Sequence, residues 1–294
     1  MDHSQAIWPS IIILSKKDAF SSVQQRSQLN SLLCYSYKPS GATMYQDINL
    51  TIDNKIALIE INRPEVLNAI RVQTYQDLIA AFKEADASDD VNVIVLTGAG
   101  GKFTAGNDLS DLVAGDDVRQ DVMDGVSGIF TTLSRVKKPI IAAVEKVAVG
   151  IGTTILLHCD MAFAGANTRF RLPFANLGVS PEGASSMLLT ESVGPKIANE
   201  LLLTGRFFDG SEAEKWNIIN KATEDGQALE AAMSVAQDLV KQPLASLITT
   251  KQLLNVGNSE VIEEVVTDEL EAFALLLQSE DTQARINHLV NSSK

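Results

Sequence analysis

From residue 48 onward, short apolar runs alternate with longer amphipathic stretches, and that alternation leaves the chain few ways to fold. Runs 48–52 and 56–61 flank Asp53-Asn54 with alternating apolar and polar residues, which predicts a β-hairpin. Residues 68–87 bring Ile70, Tyr75, Leu78, Ile79 and Phe82 near helical spacing, so an amphipathic helix is expected there. Runs 91–97, 139–144 and 161–164 predict buried strands, with a helix at 121–136 between the first two. Another helix is expected to open at Gly150-Ile151-Gly152 and run to His158. Strands and helices in this order imply a right-handed α/β arrangement. Past Gly165 the pattern turns helical, at about 184–192, 195–204, 211–217, 227–241, 243–256 and 259–290. A helix-only end of this kind reads as a docking or assembly element.

Charge and composition remove several function classes. The chain has 294 residues and a formal net charge of −13, so a phosphate backbone or an anionic membrane surface would repel it in the absence of a basic patch. The sequence contains no such patch, and nucleic acid and membrane are not expected partners. No apolar run approaches the roughly 18 residues that span a bilayer. Cys34 and Cys159 lack metal-ligand spacing, and with three scattered histidines no metal site is expected. Residues 1–43 are Ser/Gln-rich and aperiodic, and Lys16, Lys17, Arg26 and Lys38 outnumber Asp2 and Asp18, so the acidity belongs to the rest of the chain. This segment is expected to be a disordered extension, with an organelle presequence or a start at Met44 as alternatives.

Two glycine-rich loops end predicted strands. Gly150-Ile151-Gly152 has the place of a dinucleotide fingerprint, but the third glycine would fall at Ile155. The loop before Lys102 has Leu96 where a phosphate-binding loop starts with glycine, and Phe103 where it needs Ser or Thr. Tight turns at positive φ explain the glycines. A functional reading is that each loop aims a backbone N–H at one carbonyl oxygen, making an oxyanion hole.

Arg63-Pro64 with Leu67-Asn68-Ala69, then 102–109 (Lys-Phe-Thr-Ala-Gly-Asn-Asp-Leu), then 148–152 (Ala-Val-Gly-Ile-Gly) and Cys159-Asp160 follow one another in a familiar order and spacing. Together with 170–183 and Leu203-Thr204-Gly205, they resemble the crotonase superfamily of enoyl-CoA hydratases and isomerases over roughly residues 44–290. The resemblance implies an α/β fold, a spiral of ββα units, with a helical C-terminal region that mediates trimer formation. It divides the chain into an extension at 1–43, a spiral core at 44–242 and a helical region at 243–294. It implies acyl-CoA binding, no cofactor, and a thioester enolate held by the backbone amides of Asn107 and Ile151. Residues implied to line the substrate and CoA site are Arg63, Asn68, Ala69, Lys102, Phe103, Ala105, Gly106, Asn107, Asp108, Leu109 and Gly150. Asp108 is expected to cap a short helix, and His158 and Phe273 to pack in the core.

Carboxylates separate the members of that family. Hydratases use two glutamates to activate water, and the matching positions here hold Thr154 and Phe174, neither of which moves a proton at neutral pH. Ser180-Pro181-Glu182-Gly183 instead puts an acid where the family's Δ3,Δ2-enoyl-CoA isomerases keep their single catalytic glutamate. The same residues also suit a helix start, with Ser180 as N-cap and the acid favoured by the dipole. The expectation is therefore an isomerase moving a double bond from position 3 to position 2 of a fatty acyl-CoA, with Glu182 as base. Its rivals are a hydratase or other acyl-CoA enzyme of this fold, and a non-catalytic acyl-CoA-binding module with Glu182 as a cap. The apolar set Val261, Ile262, Val265, Val266, Leu270, Phe273, Leu276 and Leu277 predicts a buried assembly helix, hence a homotrimer or dimer of trimers. The final residues form no peroxisomal tripeptide, so the address expected is cytoplasmic, with a mitochondrial or peroxisomal one left open.

Overall fold

A computed structural model describes residues 45–255 and 257–292, so the expectations for 1–43 lie outside the described residues. Strands β1 (Ile48–Asp53) and β2 (Ile56–Ile61) form the expected antiparallel hairpin, pairing Ile48 with Ile61. Asn54 and Lys55 both have positive φ, the two-residue turn geometry that matches strand twist. Strands β3 (Val93–Gly98), β4 (Ile140–Val144), β6 (Met161–Gly165) and β8 (Lys221–Thr223) extend the sheet in parallel, in the order β1-β2-β3-β4-β6-β8. A second sheet pairs β5 (Val147–Val149) with β7 (Arg169–Arg171).

Every residue of β3 and β4 is buried, as a parallel sheet covered on both faces requires. Helices α1 (Val72–Ala87) and α3 (Asp116–Arg135) carry Tyr75, Leu78, Phe82, Ile129, Phe130 and Leu133 into the main core. Helix α9 (Ala228–Val240) sets Ala232 and Ala236 against Val93, Val95, Ile141 and Ala143 in a second apolar layer. Between these lie α2 (Leu109–Leu112), α4 (Ile151–Thr154), α5 (Phe174–Leu177), α6 (Ser185–Val193), α7 (Pro195–Thr204) and α8 (Gly210–Lys215). The chain ends in α10 (Leu244–Leu254), α11 (Asn258–Leu277) and α12 (Glu280–Ser292).

Three expectations change. The helix predicted over 68–87 starts at Val72, because Leu67 and Asn68 adopt left-handed conformations after a 3-10 turn at Pro64–Val66. The single helix predicted over 259–290 is two helices, and Ser279 ends the first by accepting the Thr282 N–H at 3.2 Å, as an N-cap does. Within α11, Ile262, Val266, Phe273 and Leu277 are buried by their own chain. The large apolar side chains that remain exposed in this region are Leu253, Leu254, Val261, Leu275, Leu276 and Leu289. Strands β5, β7 and β8 were too short, at three residues each, for alternation to show in the sequence.

Candidate active site

The two glycine loops are stitched together by backbone. Thr104 forms an isolated parallel bridge with Ala148: Thr104 N–H donates to Val147 O at 3.1 Å, and Val149 N–H donates to Thr104 O at 3.2 Å. Gly106, at φ +92°, passes so close that a Cβ would lie 2.5 Å from Val149 O. A Cβ on Gly152 would sit 2.9 Å from Thr104 O. Glycine is required at both places because a Cβ would meet a backbone oxygen that cannot yield, and at Gly152 the Thr104 methyl at 2.7 Å as well. Next to Gly106, Asn107 bridges Ile70 in parallel: Ile70 N–H donates to Gly106 O and Asp108 N–H to Ile70 O, both at 2.8 Å. That pairing uses the neighbours of Asn107 and leaves its own N–H without a protein acceptor among the described residues. Ile151 is the first residue of α4, and its N–H is free in the same sense, as helix N-termini leave them. Two unpaired amides on abutting loops are what an oxyanion hole needs.

Glu182 lies in the loop between α5 and α6 and is 2% exposed. Thr154 Oγ–H donates to its Oε1 at 2.7 Å, while Oε2 has no partner. Thr154 stands one turn along the short helix whose first residue is Ile151, so the carboxylate and one oxyanion amide share a rigid element. Burial pushes the Glu182 carboxyl up to about 8; the Thr154 hydrogen bond opposes that rise and the charge of Glu269 adds to it. The helix-cap alternative for Glu182 fails. Helix α6 begins at Ser185 behind a left-handed Ala184 (φ +56°), and its Ser186 N–H is taken by Glu269 Oε1 at 2.8 Å.

The loop is braced from below. Gly183 (φ +71°) lies against Phe130, where a Cβ would be 2.4 Å from the ring. The Gly183 carbonyl faces His158 Nε2 at 2.7 Å. A carbonyl only accepts, so Nε2 carries the proton; burial holds this imidazole down to about 4, hence neutral. His158 is thus a satisfied core histidine, as expected, that also supports the residue after the base. Above, the Tyr75 hydroxyl donates to Asn107 Oδ1, joining α1 to the oxyanion loop.

The other implied site residues divide by accessibility. Asn68 is fully buried, accepting from Arg63 N–H at 2.9 Å and donating to Ala99 O at 3.0 Å and Lys102 O at 2.7 Å. Its side chain is a brace between loops, and Phe103 is core. Arg63 donates to Ala69 O and lies within 3.8 Å of Asp47 and 3.6 Å of Asp108, so its charge is already engaged. Ala105 N–H donates to Leu67 O at 3.0 Å. Asp108 caps α2 through Ser110, as expected, and Leu109 packs on the core. Lys102 is half-buried with no ion pair among the described residues. Phe174 is buried, so the second hydratase position is apolar in space as well as in sequence.

Sequence reasoning missed Thr154 as the donor to Glu182, Tyr75 as the partner of Asn107, and Glu269. The last had a visible signal: it is an acid in the buried stripe Ile262, Val266, Glu269, Phe273, Leu277. Among the described residues, no three metal-ligating side chains cluster and no helix is long and apolar enough to cross a membrane.

The sequence profile of the enoyl-CoA hydratase/isomerase family matches residues 51–292. The short-chain-enoyl-CoA hydratase of Clostridium acetobutylicum is 30% identical over 251 residues, covering 84% of this chain and 96% of that protein. The 2,3-dehydroadipyl-CoA hydratase of Escherichia coli is 28% identical over 233 residues, covering 79% and 91%. The crystal structure of an enoyl-CoA hydratase/isomerase from Pseudoalteromonas atlantica superposes with a TM-score of 0.77 at 31% identity, covering 84% of this chain and 98% of the other. With the fold and two abutting glycine loops in place, the chain belongs to the enoyl-CoA hydratase/isomerase family, of the crotonase superfamily.

Proposed function

We propose that the protein moves the double bond of a 3-enoyl-CoA to position 2, with Glu182 as the proton shuttle. One observation carries the reading: the buried carboxylate tied to Thr154 on the helix that opens with the Ile151 amide is Glu182, and the two places where a hydratase would keep acids hold Thr154 and Phe174. The carboxylate removes a proton from C2, and the electrons pass into the thioester as a dienolate. The enolate oxygen rests on the Asn107 and Ile151 amides, each worth about 3–4 kcal/mol by analogy with single oxyanion-donor deletions. Protonated Glu182 then returns the proton at C4. A carboxyl held at about 8 suits both steps, since it is a strong enough base to take the proton and a strong enough acid to give it back near neutral pH.

The names of the relatives favour a second reading, hydration of a 2-enoyl-CoA, because both curated relatives above are called hydratases. In this site Glu182 alone would have to activate water and protonate C2, since Thr154 and Phe174 supply no second acid. The Glu182→Gln variant tests the assignment. It keeps the acceptor for Thr154 but cannot carry the proton, so isomerase kcat is expected to fall at least about 100-fold with little change in thioester affinity. Near wild-type turnover in that variant would remove Glu182 from the chemistry.

A further inference from the structure

Buried side-chain oxygens without a partner mark one place in the described chain: Glu182 Oε2, Ser185 Oγ and Glu269 Oε2. All three surround the segment 180–186. Glu269 reaches it from the middle of α11 and is itself 7% exposed. Its Oε1 accepts from Ser186 N–H at 2.8 Å, and its main-chain carbonyl accepts from Ser180 Oγ–H at 3.1 Å. One residue therefore grips both ends of the segment that carries the base.

The segment needs such a tie. Gly183 and Ala184 are consecutive left-handed residues, and alanine at φ +56° is strained unless its surroundings impose it. Packing alone would favour an aliphatic residue at 269, because its neighbours on the stripe are Ile262, Val266, Phe273 and Leu277. An acid there is retained against the packing preference.

We infer that Glu269 is a positioning residue for Glu182, holding 180–186 across the N-terminus of α6 so that the base faces Thr154. This rests on the reading of Glu182 as the group that takes the substrate proton. The groups facing Glu182 are Thr154 of α4, Tyr75 of α1, the neutral His158 through Gly183, and Glu269 of α11. Glu269 is the one other carboxyl in that set, and burial raises it above the usual carboxylate range while the Ser186 hydrogen bond opposes the rise. It has two effects: the grip orients Glu182, and the charge makes Glu182 hold its proton more tightly.

The two effects separate in two variants of the full chain. Glu269→Gln keeps the shape and the acceptor for Ser186 but loses the charge, whereas Glu269→Leu loses both. The readout is deuterium exchange at C2 of butyryl-CoA against pH, followed by NMR, which reports proton abstraction by Glu182 whether the natural product is an isomer or a hydrate. Glu269→Gln is expected to keep the plateau rate within about twofold and to move the midpoint at least about half a unit toward acid. Glu269→Leu is expected to lose about tenfold or more of the plateau rate with butyryl-CoA affinity within about threefold. An undiminished plateau in a folded Glu269→Leu protein would overturn the inference, and if that variant failed to fold, an undiminished plateau in Ser180→Ala, which cuts the other tie, would do so. Undiminished exchange in Glu182→Gln would overturn the reading beneath it instead.

Discussion

Replacing Thr154 with valine removes one hydroxyl and almost nothing else, so it isolates what that hydroxyl does for Glu182. Thr154 is fully buried and similar to valine in volume, and among the described residues its Oγ is the one donor to Glu182, whose other oxygen is unpartnered. A hydrogen bond to a charged group contributes about 1.5–3 kcal/mol, and here it favours the carboxylate over the acid. At about 1.4 kcal/mol per pKa unit, its loss raises the Glu182 midpoint by about one to two units. The wild-type group already titrates at about 8. At pH 7 the reactive carboxylate fraction therefore falls about 10- to 100-fold, and the rate falls with it. At pH above the new midpoint the rate recovers toward the wild-type plateau, because base and oxyanion amides remain. The assay is kcat/KM for 3-hexenoyl-CoA from pH 6 to 10.5. A Thr154→Val profile that overlies the wild-type curve, or one lowered equally at every pH, would refute the reasoning.

Two further outcomes follow from burial and exposure. The Glu182 carboxyl is pushed up from 4.5 to about 8 on folding, so the native state keeps a proton that the unfolded chain releases. Its stabilising contribution is full below about pH 4.5 and lost as pH rises through 8; thermal unfolding should show Glu182→Gln gaining on the wild type between pH 5 and 8, and parallel curves would contradict this. The exposed Leu253, Leu254, Leu275 and Leu276 on α10 and α11 are expected to be covered in a homotrimer or dimer of trimers, and light scattering that finds a stable monomer at micromolar concentration would reject that.

The parts of this fold that were legible in the sequence rest on local signals. Asp53-Asn54 between alternating runs announces the hairpin, and the apolar face of 72–87 announces α1. Gly106 and Gly152 mark the places where two backbones touch, although sequence alone cannot show that they touch each other. The hidden parts depend on long-range partners. Ser180-Pro181-Glu182 reads equally well as a helix start, and only the arrival of Glu269, 83 residues beyond Ser186, frees Glu182 from that duty. Thr154 reads as a missing acid until its hydroxyl is seen on Glu182, and Tyr75 reads as plain core until its hydroxyl is seen on Asn107. The break at Ser279 is visible only in hindsight, because an apolar stripe continues past it to Ile286 and hides the cap.

The central claim is that one carboxylate moves a proton between C2 and C4, and the wild-type enzyme can be asked directly. Purified protein is given 3-hexenoyl-CoA and crotonyl-CoA in parallel at equal concentration near neutral pH. The appearance of conjugated thioester and its loss by hydration are followed in the ultraviolet. A site with Glu182 as its proton shuttle and no acid at Thr154 or Phe174 should isomerise the first substrate at least about tenfold faster than it hydrates the second. Hydration as fast as isomerisation, or faster, would contradict the account and make the protein a hydratase that works with one glutamate.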